Sequence, residues 1–300
     1  MNWFKGLKGK IKINELLKKH TTFKIGGRAD FFIIPKDAED LRFVVRQARI
    51  HNIKIRIIGA GSNILVSDKG LNHAVVTLDC AYFKDIIIKG SKLETGSGAL
   101  MSEAILFSQK KSLSGLEFLT GIPGSVGGSL VMNAGVQNKN IGVLVESVSV
   151  MGYDGKIKIL KRRDLSFGYR RSNLGKYIIL GAVLKLRKES REKILKRIKG
   201  YFKQRYISQE WKLPSAGCVF KNPSVDFADR PTSPAGRLID ACGLKGKGIG
   251  GAQVSFKHAN FIINTGKAKA KDVLQLMELI KRQVKIKFNI NLEPEIEIWK

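Results

Sequence analysis

Cysteine and histidine are scarce in this 300-residue chain, and long apolar runs are missing. The cysteines are Cys80, Cys218 and Cys242, an odd number spread far apart with no CxxC pair. That usage fits a reducing cytoplasm and excludes the usual metal-ligand spacings. His20, His51, His73 and His258 are equally scattered and suggest no metal site. No apolar run reaches the roughly 20 residues that a membrane-spanning helix needs. The first 20 residues, MNWFKGLKGKIKINELLKKH, are basic and mildly amphipathic but lack a continuous apolar core and a small-residue cleavage site. No secretory signal is expected from them. Trp3, Phe4, Leu7 and Ile11 leave two readings open, contact with a membrane surface or a packed or poorly ordered extension, of which the extension is preferred.

Acidic residues are also few: 25 against 54 lysines and arginines, for a formal charge of +29. Such a charge concentrates polyanions and raises nucleic acid as a partner. The lysines, however, run along the whole chain, and no helix-turn-helix, zinc-finger or aromatic RNA-binding signature accompanies them. A general lysine bias that favours phosphate-bearing ligands explains the charge more simply, so no nucleic-acid partner is expected. Composition is otherwise that of a globular protein, 43% hydrophobic and 26% charged, long enough for two or three structural units.

What the chain has in plenty is glycine, concentrated at 115–135 in GLEFLTGIPGSVGGSLVMNAG. A stretch so poor in large side chains offers backbone amides and turns that glycine makes without strain. A glycine run entering a helix start suits phosphate oxygens. A second cluster, IGAGSN at 58–63, follows the strand-like IKIRI. Two glycine loops in one chain point to a large anionic cofactor, most simply a dinucleotide. A Rossmann motif fails the test here. Gly59-Ala60-Gly61 matches the first half of G-x-G-x-x-G and Asp79 lies at a suitable distance, but Ile64 occupies the third glycine position. The following NILVSDKGLNHAVVTL reads as loop and strand instead of helix.

Along the rest of the chain, residues 20–35 read as a turn followed by a buried strand ending at Pro35, and periodicity predicts a helix over 37–50 and strands at 74–78, 85–90 and 92–98. A helix follows through MSEAILFSQKK, and a hairpin spans 144–160 with Asp154-Gly155 at its turn. A strand is expected at 177–188, then a basic helix at 189–206 with Ile194, Leu195, Ile198, Tyr201 and Phe202 turned inward. Beyond it come helices at 234–243 and from Asp272 on, and a final strand, LEPEIEIWK.

Three side chains could carry chemistry. Arg170 in FGYRRS is a fixed cation suited to a carboxylate. Cys218 in PSAGCVFKNP is either an inert core thiol or a proton donor. Glu295 alternates with Glu293 and Glu297, a pattern that also fits a solvated stripe.

Taken in order, HTTFKIGG (20–27), IGAGSN (58–63), GIPGSVGGSLVMNAG (121–135), FGYRRS (167–172), PSAGCVFKNP (214–223) and LEPE (292–295) resemble the UDP-N-acetylenolpyruvoylglucosamine reductase (MurB) family from about residue 14 to the C-terminus. The resemblance implies an α+β fold: a two-lobed FAD-binding domain of the vanillyl-alcohol-oxidase (PCMH) type followed by an α+β substrate-binding domain. It assigns 1–23 to an extension, 24–187 to the FAD domain (lobes 24–68 and 69–187), 188–289 to the substrate domain, and 290–300 to a strand returning to the FAD lobes. It further implies non-covalent FAD, NADPH as co-substrate, and reduction of a UDP-sugar enolpyruvyl ether to UDP-N-acetylmuramate by a cytoplasmic monomer serving peptidoglycan synthesis. Carried over by motif, Gly59, Ala60, Gly61, Ser62, Asn63, Gly121, Ile122, Pro123, Gly124, Ser125, Gly127, Gly128, Asn133 and Ala134 would touch FAD. Arg170, Cys218 and Glu295 would be catalytic, and Tyr169, Lys221, Asn222 and His258 would meet substrate. Cys218 stands where most members carry serine. The short link from Tyr169 to the strand at 177 matches the family's shorter type. Another flavin oxidoreductase of the same cofactor fold is the alternative, although neither glycine loop offers a His or Cys for covalent attachment.

Overall fold

The computed structural model describes residues 3–136, 139–223 and 233–300. The chain forms two compact units, one of Met1–Glu15, Ala29–Ala60 and Asn72–Arg205, the other of Leu16–Arg28, Gly61–Leu71 and Tyr206–Lys300.

The first unit holds two sheets. One has strands Lys10–Leu16, Arg28–Ile34, Leu71–Thr77 and Ile55–Ile58 in that spatial order. Ile55–Ile58 runs parallel to Leu71–Thr77, and the connection after Ile58 is loop and strand with no helix, in keeping with the rejection of a Rossmann unit. Helix α1, Ala38–Ile50, buries Leu41, Val44, Val45 and Ala48 against this sheet, and Asp37 caps it by accepting the Asp40 amide. The Asp40 carboxylate is buried and accepts the amides of Lys8, Gly9 and Lys36, each at 2.8 Å, which ties down the N-terminal extension. Trp3 is 4% exposed and stands edge-on to Phe31. The ring offered by sequence as a membrane contact is core.

The second sheet is antiparallel, with Ile157–Lys161, Val145–Met151, Ile178–Lys185, Lys92–Gly96 and Ile86–Lys89 in order. Its hairpin closes where expected, Met151 opposite Ile157 with Asp154 and Gly155 in the turn. Helix α2, Met101–Lys110, and the short α3, Val126–Val131, pack their buried residues into the same core.

Helix α4, Arg191–Ser208, corrects one expectation. Ile194, Ile198 and Tyr201 do pack inward, but Leu195 and Phe202 are 38% and 48% exposed. The inward stripe follows the i, i+4, i+7 positions, and residues 195 and 202 lie a step of about 100° round from it. Polar contacts claim part of the face that sequence assigned to apolar residues. The Arg197 guanidinium donates to Glu117 (2.8 Å), to Glu189 (2.6 Å) and to Ser114 (3.1 Å). Glu117 in turn accepts the Gly115 amide at 2.7 Å, so this network braces the entrance to the glycine stretch.

Burial pushes the Glu117 carboxyl up, but hydrogen bonds from the Glu117 and Gly115 amides, Arg197 and Ser114 outweigh it and hold it below the ordinary carboxylate range. A depressed folded pKa stabilises fully above the unfolded value of about 4.3, and that contribution disappears as pH falls through the folded value. Glu117→Gln should therefore cost about 1–3 kcal/mol at neutral pH. In thermal melts the gap to wild type should close in acid; a gap independent of pH would contradict this account.

The second unit is built on an antiparallel sheet of Ser215–Cys218, Phe261–Asn264, Ala252–Val254 and Gly248–Ile249. Helices α5, Ala235–Ala241, and α6, Ala270–Phe288, share its core with Phe23, Ile25 and Leu65 from the two earlier segments. Strand Glu297–Trp299 lies parallel to Ile64–Val66. Among the described residues no helix is long and apolar enough to cross a membrane.

Candidate active site

In the first unit the two glycine loops meet. Gly59 faces Ser125 so closely that a Cβ built on Gly59 would overlap the Ser125 hydroxyl. Ser125 caps α3 by accepting the Gly128 amide at 3.2 Å. The amides of Val126 and Gly127 are also spent inside the protein, on Ala99 O (2.8 Å) and Ser97 O (2.9 Å). The first turn of α3 is therefore engaged with the 97–99 turn, and donors for an anion must come from the loops beside it. Two hydroxyls here escaped the sequence reading. Ser97 Oγ and Thr120 Oγ1 are buried without a hydrogen-bond partner, one beneath Gly127 and the other next to Gly121. A buried hydroxyl left unpaired is costly, and a polar ligand at this loop would satisfy it. The flanking glycines of GSG at 96–98 were the available signal for Ser97.

Arg170 lies in the same unit, at the tip of a tight hairpin in which Phe167 pairs with Ser172 and Gly168 with Arg171. Its backbone is left-handed, φ 53°, and its guanidinium stacks 5.1 Å from the centre of the exposed Tyr169 ring. Asn133, also left-handed at φ 44°, is 4% exposed, and Ala134 beside it is buried.

Gly61, Ser62 and Asn63 belong to the second unit. Gly61 has φ 64°, and a Cβ there would collide with the His20 carbonyl, so the turn requires glycine. Cys218 and Glu295 come together here on adjoining segments. The Glu295 amide donates to Val219 O at 2.8 Å, and the Lys221 amide donates to Glu293 O at 2.9 Å. Asn63 Nδ2 donates to Glu295 O at 3.1 Å, and Asn63 O accepts the Glu297 amide at 2.9 Å. Asn260, passed over by sequence, is buried and grips Phe220 at both backbone atoms, accepting its amide (3.0 Å) and donating to its carbonyl (2.8 Å). The solvated-stripe reading of the three glutamates does not hold for all of them: Glu293 and Glu297 are exposed, whereas Glu295 is half-buried.

Of the remaining residues, Lys221 forms an ion pair with Glu293 at 3.2 Å. Asn222 Oδ1 accepts the Ala235 amide at the start of α5, at 3.0 Å. His258 Nδ1 accepts the Asn260 amide at 3.2 Å, and burial, with Lys245 assisting, pushes its pKa below the ordinary histidine value. Its imidazole is neutral at neutral pH.

Comparison with known proteins decides the family. Residues 29–161 match an FAD binding domain, and residues 209–299 match the C-terminal domain of UDP-N-acetylenolpyruvoylglucosamine reductase. The chain is 41% identical to the UDP-N-acetylenolpyruvoylglucosamine reductase of Desulforamulus reducens, over 97% of its own length and 94% of the relative's. The chain belongs to the UDP-N-acetylenolpyruvoylglucosamine reductase family. Another member, from Clostridium novyi, is also 41% identical, over 97% of this chain and 92% of that one. The crystal structure of the family's enzyme from Thermus caldophilus superposes with a TM-score of 0.81 at 36% identity, covering 98% of this chain and 99% of that one. The expected two-part α+β architecture, an FAD-binding portion followed by a reductase C-terminal domain, is thereby established.

FAD, the cofactor this family membership brings, fits the residues present. Gly59, Ala60, Gly121, Gly124 and Ser125 leave much of the backbone of these loops bare, and the Gly59–Ser125 approach leaves no room for a larger residue at position 59. The unpaired hydroxyls of Ser97 and Thr120 supply the polar demand.

Proposed function

We propose that this chain reduces the enolpyruvyl ether of UDP-N-acetylglucosamine to UDP-N-acetylmuramate, with Arg170, Cys218 and Glu295 as its reacting residues. FAD, which residues of the two glycine loops would hold, would supply the two-electron redox chemistry that links NADPH to the vinyl group. What remains is proton and charge management by the protein. Addition at C3 leaves negative charge at C2 that spreads into the adjacent carboxylate as an enolate. The Arg170 guanidinium offsets that charge, and the Glu295 carboxyl, in its protonated form, donates a hydrogen bond to it. Cys218 delivers the S–H proton to C2, and its thiolate recovers a proton from water. Tyr169, Lys221, Asn222 and His258 serve the nucleotide sugar, and residues of the two glycine loops serve FAD. The reading places the reaction in the cytoplasm, in peptidoglycan precursor synthesis, with the chain as a monomer.

The observation that carries this assignment is the pairing of Val219 with Glu295, which seats the segments bearing the thiol and the carboxyl side by side. The experiment is anaerobic. NADPH should bleach the flavin absorption band of the purified protein, and the enolpyruvyl ether should restore it. Bleaching without restoration would mean a flavoprotein with another acceptor. Protein without flavin that binds DNA in a salt-sensitive manner would favour the basic-protein alternative.

A further inference from the structure

The C-terminal end of α3 grips both arms of the Arg170 hairpin. Asn133 Nδ2 donates to Gly168 O at 2.9 Å, and Asn133 Oδ1 accepts the Gly142 amide at 3.0 Å. On the other arm, Ser172 Oγ donates to Val131 O at 2.8 Å. Gly168 and Ser172 bracket the turn residues, so the tip is held from two sides while Arg170 keeps φ 53°. A left-handed arginine costs about 1–2 kcal/mol over the ordinary helical conformation. Such a turn persists when its surroundings determine it.

Asn133 is suited to this task in three ways. Asparagine tolerates its own left-handed backbone better than most residues. Its amide offers a donor and an acceptor in one plane, and here it uses one of each. It is 4% exposed, so its polar atoms face the protein interior. The resemblance places Asn133 among the FAD contacts, and its side chain engages the hairpin and the 142 loop.

We propose that Asn133 is a positioning residue for Arg170, assisted by Ser172. The proposal rests on the assignment of Arg170 to the substrate carboxylate. The helix that does the gripping is the one whose other end is capped by Ser125 at the glycine loops. Its six residues span about 9 Å, a distance too short to bend appreciably. The arginine that meets the substrate carboxylate is therefore held in register with the loops that hold FAD. A shift of about 1 Å between them would lower the rate by up to about 100-fold.

The test uses the flavin-loaded full chain and three variants. Asn133→Gly keeps the left-handed backbone and removes both hydrogen bonds. Asn133→Asp keeps the acceptor for Gly142 but turns an oxygen toward the Gly168 carbonyl. Ser172→Ala releases the other arm and is the milder change if the first two fold poorly. In Ser172→Ala, FAD affinity and NADPH-driven bleaching should stay within about 3-fold of wild type, because neither uses the hairpin, and the Asn133 variants are compared at full flavin loading. Restoration of the band by the enolpyruvyl ether should slow at least about 10-fold in both Asn133 variants and about 3-fold in Ser172→Ala. In an Arg170→Ala background Asn133→Gly should add less than about 2-fold, since it acts only through that arginine. Three results overturn the proposal: weaker FAD binding with normal restoration, wild-type restoration in Asn133→Gly, or full additivity with Arg170→Ala. Normal restoration in Arg170→Ala overturns the assignment of Arg170 itself, and the clamp falls with it. Loss in Arg170→Ala with normal Asn133→Gly overturns the clamp alone.

Discussion

Cys218→Ala is expected to leave NADPH-driven bleaching of the flavin unchanged and to slow its restoration by the enolpyruvyl ether about 10²- to 10⁴-fold, the range for losing a positioned general acid. The two half-reactions separate because only the second needs a proton at C2. Cys218 ends the strand Ser215–Cys218, with Phe261 opposite it, and the following residues are held by Asn260 and by the Glu295 amide. Alanine keeps those backbone hydrogen bonds, so melting temperature should change little. Cys218→Ser restores the hydroxyl that most family members carry and should recover much of the rate. A Cys218→Ala protein that restores the band at the wild-type rate would assign the proton to another group, and Glu295→Gln would then be the next variant. The thiol also makes the site sensitive to alkylation, which serine-bearing relatives should resist.

Arg170→Lys should slow the same restoration step about 10²- to 10³-fold, the cost of losing one donor from a charge-stabilising site. Lysine keeps the charge but not the planar fork that meets a carboxylate with two hydrogen bonds. It also changes the cation–π contact with Tyr169, whose ring centre lies 5.1 Å from the guanidinium carbon. If the arginine acts chiefly on the enolate, kcat for restoration falls with KM little changed; if it only anchors the substrate carboxylate, KM rises at constant kcat. Bleaching by NADPH serves as the internal control in either case. An Arg170→Lys protein with both parameters at wild-type values would remove Arg170 from the site.

The sequence reading was most accurate where a single local rule dominates. Helix α1 is announced by its apolar spacing and by acids at its cap and in its first turn (Asp37, Glu39 and Asp40), and the 154–155 turn by Asp-Gly. It was less accurate where a polar side chain competes for an apolar face. On α4, Leu195 and Phe202 have the right hydrophobicity, but the inward side also carries Arg197, and no periodicity reveals that Glu117 and Glu189 wait there. The glycine stretch shows the same limit. Its composition promised free amides at the start of α3, and the fold commits those amides to Ser97, Ala99 and Ser125.

By itself, the sequence determined the family, the two glycine loops and the three motifs that bear Arg170, Cys218 and Glu295, because each depends on residue type and order along the chain. Tertiary structure alone decided what those motifs are fastened to. The partners of Asn133, Asn63 and Asn260 lie 35, 232 and 40 residues away. An amide side chain looks the same in sequence whether it meets a ligand or a distant carbonyl. Only the closure of the chain, which brings Gly168, Glu295 and Phe220 within hydrogen-bonding reach, distinguishes the two.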